Sequence, residues 1–294
     1  DRRRLPRKGP ERAHHALREV PMRRIPCQEA QPGHLEVDLV HHCGMTPSGE
    51  YLHTLQLIDV ATGWSERMAV LGRSSLVMVH AFQCIERRLP FPILKLHPDN
   101  GSEFFNQLLK RYFQERVPTI QLSRSRPYHK NDNRYVEQKH ATLVRAYLGY
   151  ERFDTVQQTH ALNLLYDQMW LYYNFFQPVL PLNEKVCLTQ PGQLSHIRRR
   201  YDVAQTPFDR LCAAKAIPEQ TQLHLQALRD QTNPRQLRRD IDTWLDHIVT
   251  LPCAVPGVTE DVYQTLTTPS TLLKGEDSPV TLSFDLMRVA GEGS

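Results

Sequence analysis

Three carboxylates stand in contexts from which chemistry can be built: Asp38 inside the strand-like run LEVDLVHH, Asp99 in the turn HPDNGSEF, and Glu137 early in a segment of helical pattern. They are separated by 61 and 38 residues along the chain. Taken singly, each is compatible with a bland role, as a polar residue on an open sheet face, a turn former or a solvated helix acid. Taken together, an early strand lying beside a later parallel one, with a following helix returning across their ends, would converge the three. Convergent carboxylates repel one another unless a cation neutralises them. An all-oxygen set suits Mg²⁺ or Mn²⁺, ions that also bind phosphate oxygens.

The neighbours of these acids extend the pattern. Asn100-Gly101 allows a tight turn beside Asp99, and Glu103 is placed to orient it or to open a helix favourably against the helix dipole. His42 and His41 are expected to border a nucleic-acid groove or to form a hydrogen-bond network beyond Asp38. From Arg124 to Arg145 the chain has Arg124, Arg126, Lys130, Arg134, Lys139 and Arg145 against only Asp132 and Glu137, a net charge of +4. Such a run gives a phosphate backbone a place to sit. Lys139 and His140 are the nearest candidates to Glu137, and Arg198, Arg199 and Arg200 are expected to make further phosphate contacts. Trp64, Trp170, Tyr172, Phe175 and Phe176 read as core or interface residues.

The elements that must position these groups follow from periodicity. Leu35, Val37 and Leu39 alternate with Glu36, Asp38 and Val40, which predicts a strand with its carboxylates on a less buried side. YLHTLQLIDV and Trp64 to Val70 supply two more strands of an antiparallel meander, with Asp59 closing a turn before Gly63. Ser74 or Ser75 caps a helix over Leu76 to Arg88. A short strand Ile93 to Leu96 leads to Asp99, a helix begins at Ser102, and Thr119 to Leu122 forms another strand. Asp132 or Asn133 opens the helix that carries Glu137 through Tyr147, and a long helix spans Thr155 to Phe176. The order excludes a simple βαβ dinucleotide domain and predicts a mixed sheet flanked by helices.

On these grounds residues 1–30 are a basic, proline-containing arm of net charge +5, and residues 31–180 the core. Residues 181–256 are a basic, mostly helical accessory region, and 257–294 a polar acidic tail of net charge −4 expected to be disordered. The accessory region opens with a linker over Pro181 to His196, then short helices over 208–215, 219–230 and 235–249, each preceded by a proline. The six scattered cysteines read as reduced thiols of a cytosolic protein, and no apolar run approaches the ~20 residues that span a bilayer.

The stretches PGHLEVDLVHHCG, LQLIDVATGW, LHPDNGSEFFN, SRPYHKNDNRYVEQKH, YYNFFQPVLPL and YDVAQTPFDRL, in this order, resemble the integrase-type catalytic domain of bacterial insertion-sequence transposases, a group related to retroviral integrases. The resemblance implies an RNase-H-like fold, a mixed five-stranded sheet flanked by helices, with a small, mostly helical C-terminal extension. It implies that Asp38, Asp99 and Glu137 are the catalytic triad and metal ligands, Asp38 bridging two Mg²⁺ or Mn²⁺ ions. The implied reaction is 3′-end cleavage by water, then in-line attack of the freed 3′-hydroxyl on target DNA. The implied partners are double-stranded DNA, both element ends and target, and further copies of the chain in a homodimer or larger multimer. The implied setting is the bacterial cytoplasm at the nucleoid. At the place of His140 many relatives carry asparagine. The helix-turn-helix region that relatives carry ahead of the core has no counterpart in DRRRLPRKG, so selection of the DNA end is expected to lie outside this sequence. The alternative is a catalytically inactive or truncated transposase-derived protein that binds DNA or assembles on it.

Overall fold

A computed structural model describes residues 20–22, 29–98, 112, 120–126, 133–180, 182–188 and 196–266, with the backbone alone over 182–188 and 196–199. Strand β1 (His34–His42) pairs antiparallel with β2 (Leu52–Asp59), which pairs antiparallel with β3 (Ser65–Leu71). On its other side β1 runs parallel to β4 (Lys95–Pro98), and β4 runs parallel to β5 (Gln121–Leu122). The sheet order is therefore β3-β2-β1-β4-β5. This mixed five-stranded sheet, flanked by helices and followed by a helical region, is consistent with the RNase-H-like α/β fold.

The first parallel pair is set up by Gly33. Its φ of +108° and the carbonyl of Pro92, which would lie 2.6 Å from an added Cβ, leave room only for glycine. Its amide donates to Asp59 Oδ1 at 2.8 Å, while Asp59 Oδ2 accepts from the amide and hydroxyl of Thr62 at 2.8 and 2.7 Å. Asp59 is thus the structural turn residue the sequence suggests, and burial pushes its carboxyl up against those bonds.

Both faces of the sheet are covered. Leu35, Val37 and Leu39 pack with Leu55 and Leu57 under helix α1 (Ser75–Arg88), capped by Ser74 and presenting Val77, Met78, Ala81, Phe82 and Ile85. The opposite face was expected to be the less buried one, yet Glu36 is only 2% exposed. The reason is tertiary: helices returning from more than 90 residues along the chain cover it. They are α2 (Arg134–Lys139), continued by a π-helical stretch His140–Arg145 into α3 (Ala146–Leu148), and α4 (Val156–Leu171), continued by a second π-helical stretch Tyr172–Phe176. Thr155 and Gln158 form a capping box at the start of α4.

The segment Pro181 to His196, expected to be a linker, instead contains strand β6 (Leu182–Leu188), which pairs antiparallel with β7 (His196–Tyr201), the arginine-rich stretch that follows. Helices α5 (Pro207–Ala213), α6 (Glu219–Gln231) and α7 (Pro234–Thr250) follow, α5 and α7 with proline in the first turn after Thr206 and Asn233 caps. Phe208 and Leu211 of α5 join the core under α1, and Ile241 and Ile248 of α7 pack with Leu162 and Leu165 of α4. The acidic tail also begins with structure, a 3₁₀ turn Val262–Leu266, and Glu260 Oε2 accepts from the Val156 amide at 3.0 Å. The rest of the tail, from 267, lies outside the described residues.

Candidate active site

Glu36 and Asp38 are two residues apart on β1 and therefore share a face. Glu36 Oε2 accepts from the backbone amides of Tyr135 and Val136, at 2.7 and 3.0 Å. Those amides belong to the first turn of α2, where donors have no intrahelical partner. Asn133, the residue sequence reasoning placed at the cap, makes no side-chain cap bond; its Nδ2 instead donates to the Val37 carbonyl at 3.4 Å. A carboxylate on the strand thus does the capping and fixes the start of α2 over β1. Burial raises the Glu36 pKa to about 7, opposed by the two amides and Arg134 and reinforced by the negative charge of Glu137 nearby.

That anchor brings the helix carrying Glu137 to the strand carrying Asp38. Glu137 is exposed on the first turn of α2. One turn on, His140 Nδ1 lies 3.5 Å from Asp38 Oδ2, at the residue where the helix widens to π geometry. Such widened turns are frequent at functional sites. Burial and the charge of Arg145 lower the His140 pKa to about 4, so the ring is neutral at physiological pH. Asp38 Oδ1 accepts from the Leu39 amide at 2.8 Å, and the side chain is 21% exposed. Asp38 and Glu137 thus sit on adjoining elements and are oxygen donors of the kind a hard divalent cation takes.

Asp99, Asn100, Gly101 and Glu103 lie outside the described residues, as does Lys130. Among the described residues no group of three His, Cys, Asp or Glu side chains is placed to hold a metal ion. The strand leading to Asp99 is nevertheless held firmly. His97 is fully buried, with Nδ1 at 2.8 Å from Ser123 Oγ and Nε2 at 3.4 Å from Ser125 Oγ. These bonds tie the end of β4 to the strand beside it.

The expected DNA contacts divide. Arg124 is occupied in the fold: its amide donates to the Pro21 carbonyl and its Nε to the Val20 carbonyl, both at 3.1 Å, holding residues 20–22 along the sheet edge. Arg126 is exposed just beyond it. Arg134 stacks on Tyr135, its Cζ 4.7 Å from the ring centroid. Lys139 is half-buried beside Arg67, and burial with that neighbouring charge lowers its pKa to about 8. Arg198, Arg199 and Arg200 sit on β7 in register with Val186, Lys185 and Glu184. Arg200 is exposed.

Of its two expected roles, His42 takes the hydrogen-bond network and not the groove border. It is wholly enclosed, with Nε2 at 2.8 Å from Thr54 Oγ1, which lies 2.6 Å from the Tyr166 hydroxyl. Burial lowers its pKa to about 3. Trp64, Trp170 and Phe175 are core residues, in edge-to-face contact with centroids 5.3–5.7 Å apart. Glu36 was the residue missed. Its signal was present in its spacing of two from Asp38, but a helix start arriving from a hundred residues away leaves no local mark.

Among the described residues no helix is long and apolar enough to cross a membrane. No family model matches the sequence. Over 194 residues, 66% of this chain, it is 37% identical to the uncharacterized protein y4rM of Sinorhizobium fredii, and it spans about half, 53%, of that relative. Over 101 residues, 34% of the chain, it is 30% identical to 8% of the Pro-Pol polyprotein of feline foamy virus. Among solved structures it is distantly similar to the catalytic core domain of BIV integrase, with 18% identity over 40% of this chain and 72% of that one and a TM-score of 0.32. It is also similar to a chain of the simian T-cell lymphotropic virus intasome in complex with PP2A regulatory subunit B56 gamma, with 16% identity, 42% and 41% covered and a TM-score of 0.35.

Proposed function

We propose that this chain is a transposase or integrase of the insertion-sequence type, a polynucleotidyl transferase that cleaves DNA 3′ ends and joins them to target DNA. The observation that carries this reading is the Glu36 anchor, which sets the helix of Glu137 against the strand of Asp38. The ordered motifs and the likeness to part of a Pro-Pol polyprotein support it.

Asp38, Glu137 and Asp99 would hold two Mg²⁺ or Mn²⁺ ions. When bound, these supply the Lewis acidity that activates water or a 3′-hydroxyl and stabilises the departing oxygen. The chain's own residues do the rest. Glu36 fixes the distance between β1 and α2, and neutral His140 restrains the Asp38 carboxylate without competing as a cation. Lys139, Arg126 and Arg134 with the arginines of β7 supply phosphate contacts that position a duplex without reading its sequence. Joining two DNA ends needs two such sites, so the acting form is a dimer or larger multimer, at the bacterial nucleoid.

The test is a cleavage and strand-transfer assay on candidate element-end DNA with Mg²⁺, Mn²⁺ or EDTA. Activity is expected only with metal, and Asp38→Asn and Glu137→Gln are each expected to abolish it. Full activity in Asp38→Asn overturns the reading. Metal-independent DNA binding without turnover would identify an assembly protein instead.

A further inference from the structure

Helix α2 has two flanks. One carries Glu137 and His140; the other forms the wall of a groove of about 670 Å³. Arg134, Tyr135, Gln138, Lys139 and Thr142 make this wall, Ile58 and Val60 the floor, and Tyr173, Gln177 and Tyr201 stand opposite. Among the described residues that line it there is no carboxylate.

Behind the groove lies Arg67, 2% exposed, beside Lys139 and with its Cζ 5.3 Å from the ring centroid of Tyr173. Among the described residues its Nε and Nη2 have no hydrogen-bond partner, and its Nη1 lies 4.0 Å from Met169 Sδ. Gln56, its cross-strand neighbour, is wholly buried with both amide atoms unpartnered. Glu66, next in sequence, points to the other face and is taken by Arg88 at 2.7 Å. The rings of Tyr166 and Tyr173 are the groups Arg67 packs against, while the charge of Glu66 acts on it from the other face.

A buried guanidinium without a carboxylate in contact is costly, and its field is little screened by solvent. Lys139 beside it and Arg134 at the rim gather positive charge along this wall of the groove. We propose that it is a phosphate-binding site, in which Lys139 and Arg134 contact the oxyanion and Arg67 strengthens it from behind. The groove is larger than one phosphate, and the rings of Tyr135, Tyr173 and Tyr201 suit a base or sugar beside it. The phosphate is therefore one from a nucleotide strand or free phosphate. The site deepens the phosphate contacts assigned above to Lys139 and Arg134 and, for a nucleotide strand, rests on that reading, while its binding needs neither metal nor turnover.

Binding is measured by calorimetry and thermal shift in EDTA, with inorganic phosphate and with the tetranucleotide (dT)₄ as probes. Wild type is expected to bind phosphate and gain thermal stability from it. Arg67→Met is expected to weaken binding by about tenfold or more, as removal of an unscreened charge several ångströms away should. Arg134→Gln tests the rim without touching the core, so the question stays open to measurement even if Arg67→Met does not fold. Displacement of phosphate by (dT)₄ identifies a nucleic-acid strand as the source; phosphate binding without displacement identifies the free anion. Absence of binding by either probe, or binding unchanged in both variants, overturns the proposal. Asp38→Asn should bind as wild type, which separates this site's failure from that of the proposed reaction.

Discussion

The two neighbours Glu66 and Arg67 on β3 bury opposite charges on opposite faces of one sheet, and the faces treat them differently. Glu66 Oε1 accepts from both Trp64 and Trp170 indoles, at 2.9 and 2.7 Å, and its Oε2 from Arg88 Nε at 2.7 Å. Arg88 then spends its remaining donors on Asp167 and on the Arg67 carbonyl, both at 2.8 Å. Arg67, one residue on, has two donor nitrogens unpartnered. A closed network specifies structure, whereas an open one beside a groove and a carboxylate site is free to meet a ligand. The side of the sheet covered by α2 is the open side.

Breaking the closed network should give the largest effect. Arg88→Met removes the cation and leaves Glu66 and Asp167 buried without it. A loss of about 3–5 kcal/mol in urea unfolding is expected, the cost of orphaning a buried ion-pair partner. Arg67→Met, by contrast, removes a charge that has no carboxylate to orphan, so its cost should be far smaller. Equal losses in the two variants would dissolve the distinction between the faces.

Acid offers the next largest effect and probes both faces at once. His42 on the α2 side and His53 on the α1 side are both buried, and burial lowers each pKa from 6.5 to about 3. Below pH 6.5 the unfolded chain takes up a proton at each position and the folded chain does not. Stability is therefore complete above pH 6.5 and falls as pH drops from 6.5 toward 3. At pH 5 each histidine should cost about 2 kcal/mol. Replacing His42 by Asn should remove about 1.4 kcal/mol per pH unit, one proton's worth, from the slope of unfolding free energy between pH 6.5 and 3, while an unchanged slope would place the acid sensitivity elsewhere.

Much of the fold was legible because it is local. The alternation of Leu35, Val37 and Leu39 marked β1, Ser74 and Thr155 marked helix starts, and the prolines 207, 218 and 234 marked the three C-terminal helices. The stretch from Pro181 to His196 reads as linker although it contains β6, whose pairing with β7 is a contact the segment's own pattern does not announce. At the site, Asp38 and Glu137 were legible only through the order of the motifs, since each alone resembles a surface acid. The burial of Glu36, Gln56 and Arg67 was not legible at all. Polar residues alternating along strands read as a solvated face, and here helices from the far half of the chain cover that face.

The smallest effect on stability should come from the contact that matters most for the site. Glu36 caps α2 with a carboxylate that burial has pushed to about pKa 7, so much of its value lies in accepting two amide protons rather than in its charge. Glu36→Gln keeps an acceptor oxygen and gives up only a charge that the site disfavours. Glu36→Ala leaves the amides of Tyr135 and Val136 without their acceptor, at a cost of about 1–2 kcal/mol, the usual worth of a helix cap. The two variants should therefore differ by about 1–2 kcal/mol in unfolding, and on the proposed function they should differ clearly in activity. If Glu36 sets the separation of Asp38 from Glu137, Glu36→Ala lowers metal-dependent cleavage and raises the Mn²⁺ concentration needed for half-maximal activity, and Glu36→Gln largely restores both. Equal activity in the two variants would mean that α2 finds its place over β1 without the cap, and that the packing of Val136, Leu143 and Val144, all buried, is sufficient to position Glu137.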